Sequence, residues 1–280
     1  MNEDSQGPQV SFTARVMAAV RALESRREDA LFHDPLAEKL AGPEAIDRSL
    51  TTVKRSEDRP YPQVRTRFLD DFLQANAPGV GQIVLLGAGL DTRAFRMDLR
   101  SDTHLYEIDQ QVIFDYKNPI LADEQPRCFR HVIVGDIRQP DWSRLLLDQG
   151  FQPEQPSIWI AEGVLYYLDE PEVRAVMELM QKLTTVGSYF AGDVINAAVC
   201  HGDDKWAKYW QWSCDQPEAF FHQYGWQAQA IQPGEPGACF DRYTLQPAPR
   251  HEKDKTHIFF VTAVKENSET GFLPNPELPV

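Results

Sequence analysis

The sequence predicts an α/β fold: a doubly wound, mostly parallel, seven-stranded Rossmann-like sheet preceded by a helical cap. Three observations carry that expectation. From residue 82 onward, short β-rich runs alternate with helical segments, the order expected when helices cover both faces of one sheet. The runs are continuously apolar rather than alternating, as strands buried on both faces require. The first run, Ile83-Val84-Leu85-Leu86, stops at Gly87-Ala88-Gly89. Two residues without a Cβ let the backbone turn sharply there and approach a ligand closely.

The 280 residues read as a single domain, with residues 1–76 as the helical cap. Phe12, Val16, Val20 and Leu23 recur at helical spacing and define one apolar face. Asp34-Pro35 reads as a cap followed by a first turn, with Leu36 and Leu40 four apart behind it. A third helix is expected from about Pro62 to Ala75, with Val64, Phe68 and Phe72 in one row and Leu69 and Leu73 beside it. The core is expected over 80–195, with strands at 82–86, 103–108, 131–135, 157–161 and 188–193. Residues 171–185 are helical, with Val173, Val176, Met177, Met180 and Leu183 inward. A sixth strand at 226–231 and a last one at 257–264 close the sheet.

The stretch 196–256 reads as a lid or substrate region that contains the sixth strand. Within it, residues 197–225 carry Trp206, Tyr209, Trp210, Trp212, Phe220, Phe221, His222 and Tyr224. Aromatics this dense suit a lid over a substrate pocket. They equally suit an accessory mini-core or the contact of a homodimer. Residues 1–8 and about 266–280 are polar or Pro-rich and are expected to fray.

Composition narrows the partners. A formal net charge of −14 repels phosphate backbones and anionic membrane surfaces, so nucleic acid and membrane are not expected. The N-terminus has no apolar signal core, and no apolar run approaches the roughly 18–20 residues that span a bilayer. The four cysteines, Cys128, Cys200, Cys214 and Cys239, form no C-x-x-C pair and match no zinc spacing. A cytoplasmic protein with reduced thiols and no metal is expected.

The chemistry-bearing residues fall at strand ends. Neighbouring parallel strands share one carboxyl rim, and ligands of open α/β sheets sit on it. After the glycine turn, the second run ends at Asp109, twenty-two residues beyond Gly87, a distance suited to accepting ribose hydroxyls. The third ends in Asp136-Ile137, an amine acceptor beside an apolar face for a purine, and the fourth in Glu162-Gly163. One acid at a strand end is often a cap or turn residue; three in succession suit an adenosine ligand without a diphosphate. The third glycine of a dinucleotide fingerprint is absent, with Thr92 in its place. Carboxylates also favour a cationic sulfonium over phosphates.

The segments 64–72 (VRTRFLDDF), 87–96 (GAGLDTRAFR), 106–110 (YEIDQ), 135–138 (GDIR) and 161–168 (AEGVLYYL), with 22–38 upstream, come in a distinctive order. That order resembles the leucine carboxyl methyltransferase family of class I S-adenosylmethionine-dependent enzymes, and its bacterial branch that methylates small metabolites on oxygen. The resemblance covers roughly residues 12–195. It implies that Gly87, Ala88 and Gly89 meet the amino-acid part of the cofactor, that Asp109 with Gln110 holds the ribose, and that Asp136 with Ile137 holds the adenine. It places Glu162 near the sulfonium and pairs Arg65 with the methionine carboxylate. S-adenosyl-L-homocysteine would be the product. Arg93 is expected to brace the loop. Tyr166-Tyr167 stands where many bacterial relatives have Met-Tyr, which sets the substrate pocket apart from theirs.

Methyl transfer to oxygen needs an aligned nucleophile at roughly 3 Å and exclusion of water. A carboxylate or acidic enol is already ionised at neutral pH, whereas a phenol benefits from a base. The candidates are Asp193 at the end of the fifth strand, Tyr166 and Tyr167, and His201 or His222 in the aromatic segment; His131, at a strand start, is a poor one. The expected function is O-methylation of a small acceptor, polyketide-like or another secondary metabolite. Carboxyl methylation of a protein C-terminus, non-catalytic binding of S-adenosylmethionine and a nicotinamide dehydrogenase are the alternatives.

Overall fold

A computed structural model describes residues 12–55, 59–202 and 207–266. Three helices form the cap: α1 (Phe12–Ser25), α2 (Ala37–Arg55) and α3 (Tyr61–Asn76). The sheet then begins: β1 (Gln82–Leu86), α4 (Arg93–Arg96), β2 (His104–Asp109), α5 (Gln111–Ile120), β3 (Phe129–Val134), α6 (Asp141–Asp148) and β4 (Ser157–Ala161). After it come α7 (Glu170–Leu183), β5 (Tyr189–Ile195), α8 (Ala197–Cys200), α9 (Pro217–His222), β6 (Trp226–Ile231) and β7 (Ile258–Lys265).

The seven strands lie in the order β3-β2-β1-β4-β5-β7-β6. All neighbouring pairs are parallel except those made by β7, which runs antiparallel to β5 and β6. The order reverses between β1 and β4, so a crevice opens at their carboxyl ends. In β1 every residue is buried, and the strand period splits its side chains between two cores. Ile83 and Leu85 face the cap, among Leu40, Leu69 and Leu73. Val84 and Leu86 face the other layer, among Trp142, Trp159 and Met177. At the sheet's edge, β3 is half exposed rather than buried on both faces, with Phe129 and Val134 open to solvent.

The cap differs from its expected register in one respect. Ala18, Ala19 and Ala22, not Val16 and Leu23, supply the deeply buried face of α1. Small side chains let α1 lie close to α2, while Val16 is left to line the cleft. The side chain of Phe12, the tails 1–11 and 267–280, and Trp206 lie outside the described residues. Asp34 does open the turn into α2: its Oδ1 accepts from Leu36 N at 3.2 Å. Helix α2 bends at Gly42, φ 70°, just before Pro43, where the proline cannot donate to the helix ladder. Helix α7 starts in a reciprocal capping box between Asp169 and Glu172.

The aromatic segment divides. Trp212, Phe220, Phe221 and Tyr224 are buried under the sheet with Phe190 and Trp226. Tyr209 and Trp210 reach the cleft instead. All four cysteines are free thiols, and among the described residues no helix is long and apolar enough to cross a membrane.

Candidate functional site

The crevice at the carboxyl rim opens into a cleft of about 1450 Å³. Its floor is Gly87, Ala88, Gly89, Asp109, Gln110, Asp136, Ile137, Glu162 and Gly163; its roof is the cap with Val16, Met17, Val53, Tyr61 and Gln63. Tyr166, Tyr167, Val199, Tyr209 and Trp210 close one side. Every residue expected to hold the cofactor therefore lines one cavity, Arg65 included.

The glycine turn is built by positive backbone torsions, φ 63° at Gly87 and 48° at Gly89, which side-chain-bearing residues rarely adopt. A Cβ on Gly87 would lie 2.6 Å from Val164 Cγ2. Asp109 ties the turn to β2. Its Oδ2 accepts from Gly89 N at 2.6 Å and its Oδ1 from Gln110 N at 2.7 Å. Burial raises the pKa of this carboxyl, and those two backbone donors act against the rise. Each oxygen keeps a lone pair for a ligand hydroxyl. Asp136 is held by Arg138, Nε to Oδ1 at 2.9 Å, and accepts from Gln110 Nε2 at 3.3 Å. The Arg138 bond lowers its pKa.

Beneath the turn, three arginines interlock with four carboxylates. Arg93 donates to Asp70 (2.8 Å), to Glu162 (2.8 Å) and to Asp91. Arg96 donates to Asp70 at 2.6 Å. Arg65 donates from Nε to Glu162 at 3.1 Å and from Nη1 to Asp193 at 3.0 Å. Arg93 thus braces the loop, as the sequence suggested. Burial alone would raise the pKa of Glu162, but the guanidiniums of Arg93 and Arg65 outweigh it and bring it to about 2. Both Glu162 oxygens are committed to arginines, so its charge is neutralised within the protein. Arg65 Nη2 faces Met17 Sδ at 3.8 Å, its one hydrogen-bonding contact among the described residues. That nitrogen is the one left for a ligand carboxylate.

Two parts of the catalytic expectation are corrected. Asp193 is not at a strand end: β5 continues to Ile195, and Asp193 pairs with Phe260 of β7. Its side chain is fully buried and accepts from Tyr61 Oη, from Arg65 and, at 2.6 Å, from Gly163 N. It is screened from the cleft. His201 and His222 are both solvent-exposed and neither lines the cleft. His201 follows the end of α8, and His222 ends α9, which packs against the core on the face away from the cap. His131 sits on the edge strand, with its ring on His104 and Tyr106. Among the described residues, no histidine lines the cleft. Tyr167 does, and Tyr166 Oη lies 3.3 Å from Arg65 Nη1.

Tyr61 is the functional neighbour that the sequence reading missed, because it placed the helix start at Pro62. Tyr61 and Arg65 are four apart on α3 and so share a face; that spacing was the available signal. Asp70, five residues beyond Arg65 and also buried, lies off that face and carried no such signal.

Fold and rim together define a class I methyltransferase fold. The chain belongs to the leucine carboxyl methyltransferase family, whose model, described as Leucine carboxyl methyltransferase, matches residues 14–181. It is 36% identical over 259 residues to a Streptomyces avermitilis protein, covering 86% of this chain and 91% of that one. It is 34% identical over 268 residues to a Frankia alni protein, covering 86% and 90% respectively. Both carry the name Putative S-adenosyl-L-methionine-dependent methyltransferase. Among solved structures, a DUF574 family protein from Streptomyces avermitilis superposes with a TM-score of 0.60 at 11% identity, over 91% of this chain and 97% of that one. A Thermobifida fusca structure described as a putative methyltransferase gives a TM-score of 0.56 at 16% identity, over 94% and 97%. These likenesses concern the fold.

Proposed function

We propose that the protein is an S-adenosylmethionine-dependent O-methyltransferase that acts on an ionisable hydroxyl or enol of a small metabolite. The observation that carries this reading is the rim. A glycine turn locked to Asp109, with Asp136-Ile137 beside it and Arg65 Nη2 at the other end, offers matched contacts for ribose, adenine and amino acid in one cavity. Family membership and the names of the relatives support its coarser part, methyl transfer from S-adenosylmethionine. S-adenosylmethionine, when bound, supplies an electrophilic methyl on a sulfonium.

What this chain's residues do follows from their placement. Gly87 and Gly89 bring backbone against the ligand. Asp109 accepts from its hydroxyls. Arg65, held from behind by Asp193 and Glu162, fixes the carboxylate. The cap and Tyr167, Tyr209 and Trp210 surround the acceptor and displace water, which strengthens alignment and electrostatics at the reacting oxygen. With no histidine on the cleft wall and Asp193 enclosed, the site suits an acceptor that ionises without a strong base. Tyr167 is the side chain in position to contact it.

Incubation with S-adenosylmethionine and a set of acidic enols, phenols and carboxylic acids, with products separated by mass, tests the reading. Methyl ethers of enols or phenols are expected. Formation of methyl esters alone, or methylation of a peptide C-terminus, would replace it with a carboxyl methyltransferase.

A further inference from the structure

The cap side of the cleft carries polar groups that the fold leaves unsatisfied. Gln63, in the first turn of α3, is 4% exposed and lines the cleft, yet its Oε1 has no hydrogen-bond partner among the described residues. Ser49, on α2, is 2% exposed, also lines the cleft, and its Oγ has none. From the opposite wall, Trp210 Nε1 is a third buried group without a partner, on a ring set edge-on to Tyr166 at 5.7 Å. Buried polar groups are almost always paired, and leaving one unpaired is costly. Three that line one cavity, two from the cap and one from the wall opposite, mark where a ligand's polar atoms belong.

Their chemistry limits that ligand. A glutamine amide offers a donor and an acceptor side by side, whichever way its ends are turned. Its complement is an edge with N–H beside C=O. Ser49 Oγ can give or take, and Trp210 Nε1 only gives. Around them the wall carries Val16, Met17 and Val53, with Arg48 and Arg59 also lining the cleft. Among the described residues, no carboxylate of α1, α2, α3 or 195–210 lines the cleft.

Resting on the methyltransferase reading, we infer that the methyl acceptor bears a lactam-type edge, and that Gln63 reads this edge with paired hydrogen bonds. Gln63 is thus the residue that sets acceptor specificity.

Two probes differ only at the atom in question: 4-hydroxy-2-quinolone has the ring N–H, and 4-hydroxycoumarin has a ring oxygen in its place. Their affinities are measured by calorimetry on the protein saturated with S-adenosylhomocysteine, for the native chain, Gln63→Leu and the isosteric Gln63→Glu. The native chain is expected to bind the quinolone at least about fivefold more tightly, since a lost hydrogen bond that leaves a buried partner unpaired costs at least that factor. Gln63→Leu is expected to bring the two probes level, with S-adenosylhomocysteine affinity unchanged. Gln63→Glu, which cannot donate, is expected to weaken the quinolone even if the leucine variant folds poorly.

Equal native affinities, a preference that survives in both variants, or failure of both probes to bind while S-adenosylhomocysteine binds would overturn the inference and leave the methyltransferase reading intact. Loss of S-adenosylhomocysteine affinity in the variants would move Gln63 to the cofactor and also overturn it. Failure of S-adenosylhomocysteine to bind the native chain would remove the reading beneath it.

Discussion

Arg65 and Asp193 meet at 3.0 Å, Nη1 to Oδ2, and join the cap helix α3 to strand β5 directly under the cleft. The Arg65 side chain is 7% exposed and that of Asp193 is fully buried. Asp193 also accepts from Gly163 N and Tyr61 Oη, so one carboxylate positions the arginine, the turn after β4 and the first residue of α3.

Removing that carboxylate leaves a buried guanidinium short of one partner. Asp193→Ala is expected to lower stability by about 3 kcal/mol, the lower end for breaking a buried pair, because Glu162 still holds Arg65 Nε. Urea unfolding monitored by tryptophan fluorescence measures it. An unshifted midpoint would show that the pair contributes nothing.

Acid sensitivity follows from Glu162. Its folded pKa of about 2 lies below the ordinary 4.5, so its contribution is fully present above about pH 4.5 and is lost as pH falls toward 2. The shift corresponds to about 3 kcal/mol, since one unit is about 1.4 kcal/mol. Asp109, whose pKa is raised by burial, has the opposite sign: its protonation relieves a cost of the folded state. Glu162→Gln is expected to be less stable at pH 7 and to show a flatter loss of stability between pH 5 and 2. A parallel acid limb in the variant would assign the sensitivity to other carboxylates.

Gly87→Ala places a Cβ 2.6 Å from Val164 Cγ2 at a residue with φ 63°. The left-handed torsion alone costs roughly 1–2 kcal/mol. Adding Val164→Ala should relieve the clash and leave the torsional cost, so the double variant should recover part of the lost thermal stability. Recovery to the native value would show that the torsion carries no strain.

His201→Ala and His222→Ala should each leave turnover within about twofold of the native rate, because neither side chain lines the cleft. A tenfold loss in either, with the fold intact by circular dichroism, would put that histidine back at the acceptor.

Much of this architecture was legible in the sequence for local reasons. The apolar runs matched β1 and β4 to the residue, since a buried strand writes its limits as the onset of polar residues. The strand-end acids and the glycine turn follow from the same boundaries. Residues that act across the chain were harder to read. Asp193 resembled a strand-end acid, and only the pairing of β5 with β7 shows it to be enclosed. His201 and His222 were attractive by residue type alone, while Gln63 and Ser49 have no local signature at all. Their significance lies in partners that the fold does not supply.

The account depends most on the cofactor. Calorimetric titration of the native chain and Asp109→Ala with S-adenosylhomocysteine, and of the native chain with NAD, tests it directly. The expected result is S-adenosylhomocysteine binding that weakens by about 1.5–3 kcal/mol in Asp109→Ala, the worth of a charge-assisted hydrogen bond, with no binding of NAD. Binding of NAD without binding of S-adenosylhomocysteine would contradict it.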